Sequence, residues 1–180
     1  MSASPAVFGR AVVFGDDVST DLLAPGRYLK LPARVLASHC LEAIDPGFAS
    51  RVMPDDVLVA GRNFGLGSSR EQAAISLKLL GIGAVLALSF ARIFFRNAVN
   101  VGLPVLAFEQ SGEIAGGDLL RVDPGAGQVD NITSGKTWRV EPLPIHLLAI
   151  IRDGGLIPHL KLRLAAEQPA SGIQPNKARG

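Results

Sequence analysis

The sequence predicts an α/β fold with a mostly parallel β-α-β-α-β core and a C-terminal antiparallel part. Three observations carry this. Short apolar runs at 57–60, 84–88 and 103–108 read as buried strands, and the stretches between them switch to a helical period. From Glu113 onward, short strand-like runs alternate with Pro124-Gly125 and Ser134-Gly135 turns, the texture of an antiparallel meander. At 180 residues, 48% hydrophobic and 19% charged, the chain can bury a sizeable core within one domain. That domain is expected over 1–166. The Pro/Gly/Ser-rich residues 167–180 read as a flexible tail.

Taken in order, residues 7–14 (VFGRAVVF) form the first expected strand. Gly15-Asp16-Asp17-Val18-Ser19-Thr20-Asp21 follows as a polar, turn-rich loop, in which Thr20 and Asp21 are placed to cap what comes next. Pro25-Gly26 marks a turn, and residues 27–32 read as an exposed loop. A weak helical pattern runs over 34–44 through Val35, Leu36, Cys40 and Leu41, and Pro46-Gly47 ends it. After strand 57–60, Ala73, Leu77 and Leu80 recur at i, i+4 and i+7, one face of a helix. Ser89 is placed to cap a helix over 90–101, with Phe90, Ile93, Phe94 and Val101 on one side and Gly102 stopping it. Pro104 marks an edge or the start of the third strand of the core. The expected meander is 119–122, 128–132 and 137–140. Helix 144–152 opens on proline and stops at Gly154-Gly155, and an amphipathic helix over 156–166 closes the domain.

The chemistry concentrates between the strand 57–60 and its helix, in Gly61-Arg62-Asn63-Phe64-Gly65-Leu66-Gly67-Ser68-Ser69-Arg70-Glu71. Strand, glycine turn and helix N-terminus leave backbone N–H groups free for an anion. The local alternative is a capping box, Ser68-x-x-Glu71, in which the serines satisfy amides and do no chemistry. A cap needs neither two nearby glycines nor an arginine in the first turn, where the helix dipole disfavours a cation. A bound carboxylate accounts for both. The turn is not a nucleotide loop of a known type. Gly67 is followed by Ser68 where a Walker A loop needs Gly-Lys, and Arg70 stands where a dinucleotide fingerprint needs its third glycine. No glycine follows Ser68 at the place a nucleophile elbow requires.

Composition excludes other classes. The net charge of +2, from 18 basic and 16 acidic residues, is too small for a nucleic-acid footprint. The most apolar stretch, 79–91, is broken by Gly81 and Gly83 and is too short for a membrane span. No secretory signal is expected at the N-terminus. The single cysteine, Cys40, rules out an intramolecular disulfide and fits a reducing, cytoplasmic compartment. One thiolate also cannot hold an iron–sulfur cluster, and His39, His146 and His159 lack paired ligand spacing. Any metal in the function is expected on a partner.

Several stretches together resemble the small subunit of the isopropylmalate dehydratase group, equivalent to the C-terminal swivel domain of aconitase. They are Gly15-Asp16-Asp17-Val18-Ser19-Thr20-Asp21, the Asn63–Glu71 turn, Ser89-Phe90-Ala91-Arg92-Ile93-Phe94 with Asn97 and Gly102-Leu103-Pro104, Asp130-Asn131 with Thr133, and Gly154-Gly155-Leu156-Ile157. In the family's order they cover most of residues 7–164. Two positions depart: Leu66, where relatives often carry Cys or Glu, and Gln72, where His is common.

The resemblance implies a three-layer β/β/α swivel domain and a hydro-lyase. Its substrate would be a small 2-hydroxy di- or tricarboxylate, whose hydroxyl is moved by dehydration and rehydration. It implies that Ser68 is the catalytic base, that Asp21 orders the site, and that Ser69 and Arg70 bind substrate carboxylate. It also implies a partner large subunit carrying a [4Fe–4S] cluster, with no cofactor on this chain and no nucleic-acid or membrane partner. The loop Tyr28-Leu29-Lys30-Leu31 would face the substrate's variable group, with Lys30 against an extra carboxylate, as in homoaconitate. Alternatively Lys30 turns into water and leaves Leu29 and Leu31 against an alkyl group, as in isopropylmalate. Isopropylmalate, in leucine biosynthesis, is the expected substrate. Homoaconitate and a dimethylmalate-type acid are the alternatives within the group. Outside it stands a non-catalytic carboxylate-binding or structural partner.

Overall fold

The computed structural model describes residues 6–167. Along the chain these form β1 (Val7–Val13), α1 (Thr20–Leu23), α2 (Ala33–Ser38), α3 (Phe48–Arg51), β2 (Val57–Ala60), α4 (Glu71–Leu80), β3 (Ala84–Ala87) and α5 (Arg92–Asn100). Then come β4 (Val105–Ala107), β5 (Leu119–Asp123), β6 (Gln128–Asn131), β7 (Lys136–Arg139), α6 (Ile145–Arg152) and α7 (Leu156–Glu167). All strands join one sheet in the order β4-β3-β2-β1-β5-β6-β7. β1 to β4 are parallel, in register Ala11 with Val57, Val57 with Ala84, and Val85 with Val105. β5 pairs antiparallel to β1, and β6 and β7 continue the meander. The expected β-α-β-α-β unit is β2-α4-β3-α5-β4, with β4 and its preceding Pro104 at the sheet edge.

The sheet curls so that its two halves face each other. Val57, Val59, Ala84 and Leu86 from the parallel half pack with Leu120, Val122 and Val129 from the antiparallel half. The alternate residues Leu58, Ala60, Val85 and Ala87 face the helices instead, against Ala73, Leu77, Phe94 and Ala98. Period-two alternation thus sends one strand's side chains into two cores and makes the layers β, β and α. β2 and β3 are buried along their whole length, which is why both read as continuous apolar runs without alternation. Antiparallel β5 and β6 do alternate.

Several local expectations are corrected. The helix over 34–44 is shorter: α2 stops at Ser38, and Leu41 sits at φ +60°, a conformation no helix continues through. Ser19, not Thr20 or Asp21, caps α1, accepting from the Leu22 amide at 3.3 Å. α5 starts at Arg92, with Ala91 and not Ser89 at its N-cap. Its buried side is Phe94, Asn97, Ala98 and Val99, while Ile93 is 42% exposed. Gly102 does take the left-handed stop, φ +76°. The closing helix forms as α7, yet none of its residues is buried. The expected tail, past Glu167 at the end of α7, lies outside the described residues.

Candidate functional site

Three loops leave the C-terminal ends of β1, β2 and β3, the end of a parallel sheet where ligand sites form. Main-chain hydrogen bonds stitch them together. The β1 loop joins the β2 loop through Asp17 N–H to Arg62 O at 2.8 Å, Gly65 N–H to Val18 O at 2.7 Å and Thr20 N–H to Leu66 O at 2.8 Å. The β2 loop joins the β3 loop through Phe64 N–H to Ser89 O and Ala91 N–H to Phe64 O, both 2.9 Å. Ser89 Oγ, freed from the expected capping role, accepts from the Asn63 amide at 2.9 Å.

Two non-glycine residues in these loops take left-handed backbone, Asp17 at φ +58° and Asn63 at φ +57°. They support each other, since Asn63 Nδ2 donates to Asp17 Oδ1 at 2.8 Å. The Asp16 carboxylate lies over Gly61, where a Cβ would stand 1.8 Å from Oδ1, and accepts from the Arg62 amide at 2.7 Å. Gly65 is left-handed at φ +78° beneath Phe94, which a Cβ would meet at 2.2 Å. The glycines that the sequence shows as loop punctuation are therefore positions of close approach.

The capping box does not form. α4 begins at Glu71, its N-cap position is Arg70, and no side chain caps it. Ser68 and Ser69 lie before the helix and are exposed. With no side-chain cap, the first turn presents its amides to the space in front of it. Arg70 turns its guanidinium back across the β1 loop. Nη1 donates to Asp21 Oδ1 and, at 3.1 Å, to the Ala24 carbonyl. The Arg70 side chain is 19% exposed and that of Asp21 is 62% exposed. A cation is thus held beside two exposed serines at an uncapped helix start, an arrangement that can bind a carboxylate and favour an oxyanion.

The structure brings together Ser68, Ser69, Arg70 and Asp21. Lys30 stands apart: it is exposed, and no ion pair or hydrogen bond among the described residues holds it to the other four. Its loop is anchored from behind. Tyr28 stacks on His39 with ring centroids 3.7 Å apart, and Arg27 lies 4.7 Å over the Tyr28 ring. Glu42 accepts from both His39 and Arg27, and those bonds hold its carboxyl below the usual carboxylate range. Cys40 is buried, and burial pushes its thiol well above the usual range, so it supplies no thiolate. Among the described residues no group of three His, Cys, Asp or Glu side chains is placed to hold a metal. No described helix is long and apolar enough to cross a membrane.

One site feature is not signalled by residue type. Thr20 is 2% exposed, its hydroxyl has no hydrogen-bond partner among the described residues, and a Cβ at Gly67 would stand 3.1 Å from it. The sequence marks Thr20 as a capping candidate. Only the pairing of the two loops places its hydroxyl under the residue before Ser68.

Known proteins are similar to this chain in sequence and fold. The aconitase C-terminal domain family matches residues 39–111. The chain is 52% identical over 155 residues to 3-isopropylmalate dehydratase small subunit 2 of Archaeoglobus fulgidus, covering 85% of this chain and 93% of that one. It is 49% identical over 152 residues to the methanogen homoaconitase small subunit of Methanothermobacter thermautotrophicus, covering 84% and 88%. Among solved structures, the 3-isopropylmalate dehydratase of Methanocaldococcus jannaschii superposes with a TM-score of 0.85 at 44% identity, covering 91% of this chain and 98% of that one.

Proposed function

The chain belongs to the family of 3-isopropylmalate dehydratase small subunits, and from that premise we propose that it isomerises 2-isopropylmalate to 3-isopropylmalate, as a hydro-lyase working with a large subunit. The observation that carries this reading is the Arg70 guanidinium, fixed by Asp21 and the Ala24 carbonyl beside exposed Ser68 and Ser69. Dehydration removes a proton from the carbon next to a carboxylate and the hydroxyl from its neighbour. Rehydration returns the two the other way round.

Ser68 takes the proton in this reading. A serine hydroxyl is too weak a base unless its alkoxide is stabilised. The amides of the uncapped α4 start and the nearby Arg70 charge supply that stabilisation. Ser69 and Arg70 bind the substrate carboxylate, and Asp21 fixes the direction of the guanidinium. The residues of this chain do not fit an iron–sulfur cluster, since its one cysteine is buried and protonated. In this reading the [4Fe–4S] cluster, which supplies Lewis acidity toward the leaving hydroxyl, belongs to the large subunit.

A second substrate, homoaconitate, is favoured by one feature. Lys30 is an exposed cation in the loop that on this reading faces the variable group, and a homoaconitase small subunit is among the relatives. The deciding experiment is reconstitution with the large subunit. Ser68→Ala should lower kcat by roughly 10²–10⁴-fold, the scale of acid–base catalysis, with an unchanged circular dichroism spectrum. Near-normal turnover of Ser68→Ala would reject the assignment.

A further inference from the structure

We infer that the cleft at the start of α5 is where the large subunit docks, through a segment pairing an apolar side chain with carboxylates. This rests on the reading above, in which a large subunit exists. The cleft has a volume of about 400 Å³ and is lined by Leu88, Ser89, Phe90, Arg92, Phe95 and Ala107. Phe90 and Phe95 are half-buried, with ring centroids 6.2 Å apart in an edge-on pair. Phe90 is backed in turn by Phe64 and Phe94 at 6.0 and 6.4 Å, so the cleft floor is rigid.

The charges point to the kind of occupant. Arg92 lines the cleft, and Arg96 follows it one helical turn on. Arg62 belongs to the neighbouring β2 loop. All three are exposed, and among the described residues none has a side-chain ion pair or hydrogen bond. Glu109, exposed beyond Ala107, pairs with none of them. Pre-ordered aromatics flanked by unpaired arginines have the composition of an interface centre. A second copy would bring arginine to arginine, so the surface fits a different chain with an acidic rim.

Position selects which chain. Ser89, in the cleft wall, bonds to Asn63 and Phe64 of the loop that carries Ser68. A partner that delivers its reactive group to Ser68 must cover this end of the sheet, and the cleft lies at its margin.

The test is titration of the full chain with its purified large subunit, followed by sedimentation velocity. Arg92→Glu combined with Arg96→Glu should weaken association at least tenfold. Ser68→Ala should associate like wild type while losing turnover. The unfolding midpoint of the charge-reversed chain should not fall, because neither arginine is paired among the described residues and an acidic residue at the start of α5 suits the helix dipole. Wild-type association should weaken with salt more steeply than that of the reversed chain. Undiminished association of the reversed chain would overturn the inference, and so would a raised KM with association intact, which would assign the arginines to substrate. A changed mass of the isolated reversed chain would also overturn it, by making the cleft a self-contact. If the wild-type chain itself fails to associate, this inference and the reading beneath it fall together.

Discussion

Replacing Gly65 by alanine separates two ways in which the site loop depends on glycine. An alanine there must hold φ +78°, and its Cβ would stand 2.2 Å from Phe94 Cγ and 2.3 Å from Phe94 Cβ. Left-handed backbone costs an L-residue about 1–2 kcal/mol. Phe94 is 1% exposed and braced by Phe64 at 5.1 Å, so it cannot give way freely. Overpacking of such a core costs roughly 1–3 kcal/mol. Gly65→Ala should therefore destabilise by roughly 2–5 kcal/mol. Gly67 is the internal control. It is at φ +109°, but its Cβ would meet only the Thr20 hydroxyl at 3.1 Å. Gly67→Ala should show the backbone cost and little more, leaving roughly 1–3 kcal/mol between the two variants. Urea unfolding at constant m-value measures both. Equal losses for the two variants, or a loss below about 1 kcal/mol for Gly65→Ala, would refute the close-approach argument.

Three further outcomes are expected. Lys30→Val should cost activity on homoaconitate by roughly 1–3 kcal/mol in kcat/KM and spare isopropylmalate if Lys30 reads a carboxylate; equal effects on both acids would show that the loop does not select. Thr20→Val removes a buried hydroxyl without a partner, so the urea midpoint should hold or rise, by up to about 1 kcal/mol, while turnover falls if that hydroxyl serves the Ser68 loop. A loss of stability would show that the hydroxyl is satisfied in solution. Burial raises the Asp130 carboxyl, but hydrogen bonds from Thr137, Gln128 and Arg121 outweigh it and hold the group below its ordinary value of 3.8. A lowered folded-state value means that Asp130 stabilises fully above that ordinary value and loses its contribution as pH falls through the folded-state one. Urea midpoints taken down to acid pH should fall less for Asp130→Asn than for wild type, and parallel curves would contradict this.

The parallel core was legible because β2 and β3 are buried on both faces, and burial of that kind leaves an unbroken apolar run. The meander was legible through its turn residues. The starts of α4 and α5 were not. Ser68 and Ser89 both have the chemistry of a cap, but the loops around them are pinned by main-chain bonds to neighbouring loops, and those pairings are set by residues far away in sequence. The same holds at the site. Residue types and spacing pointed to a carboxylate or a helix cap at this turn, and the family resemblance gave Ser68, Ser69 and Arg70 their expected roles. The Arg70 pairing with Asp21 and the buried Thr20 hydroxyl depend on two loops 46 to 49 residues apart lying side by side. In α7 the periodicity was present but no burial followed, because periodicity states which face is apolar and not what covers it.

The place of β1 bears on how the chain comes into being. Of the described strands it is the earliest in the chain, yet both its neighbours come later: Ala11 meets Val57, and Arg10 meets Leu119. Until β5 emerges, one side of β1 is an open edge with free amides and carbonyls, next to apolar residues that will later lie between the two halves of the sheet. Pairings this distant in sequence close slowly, because the loop entropy is lost before the contacts form. While the residues between β1 and β5 are being made, the nascent chain is therefore an incomplete sheet, and its solubility in that interval depends on protection of β1 rather than on the stability of the finished domain.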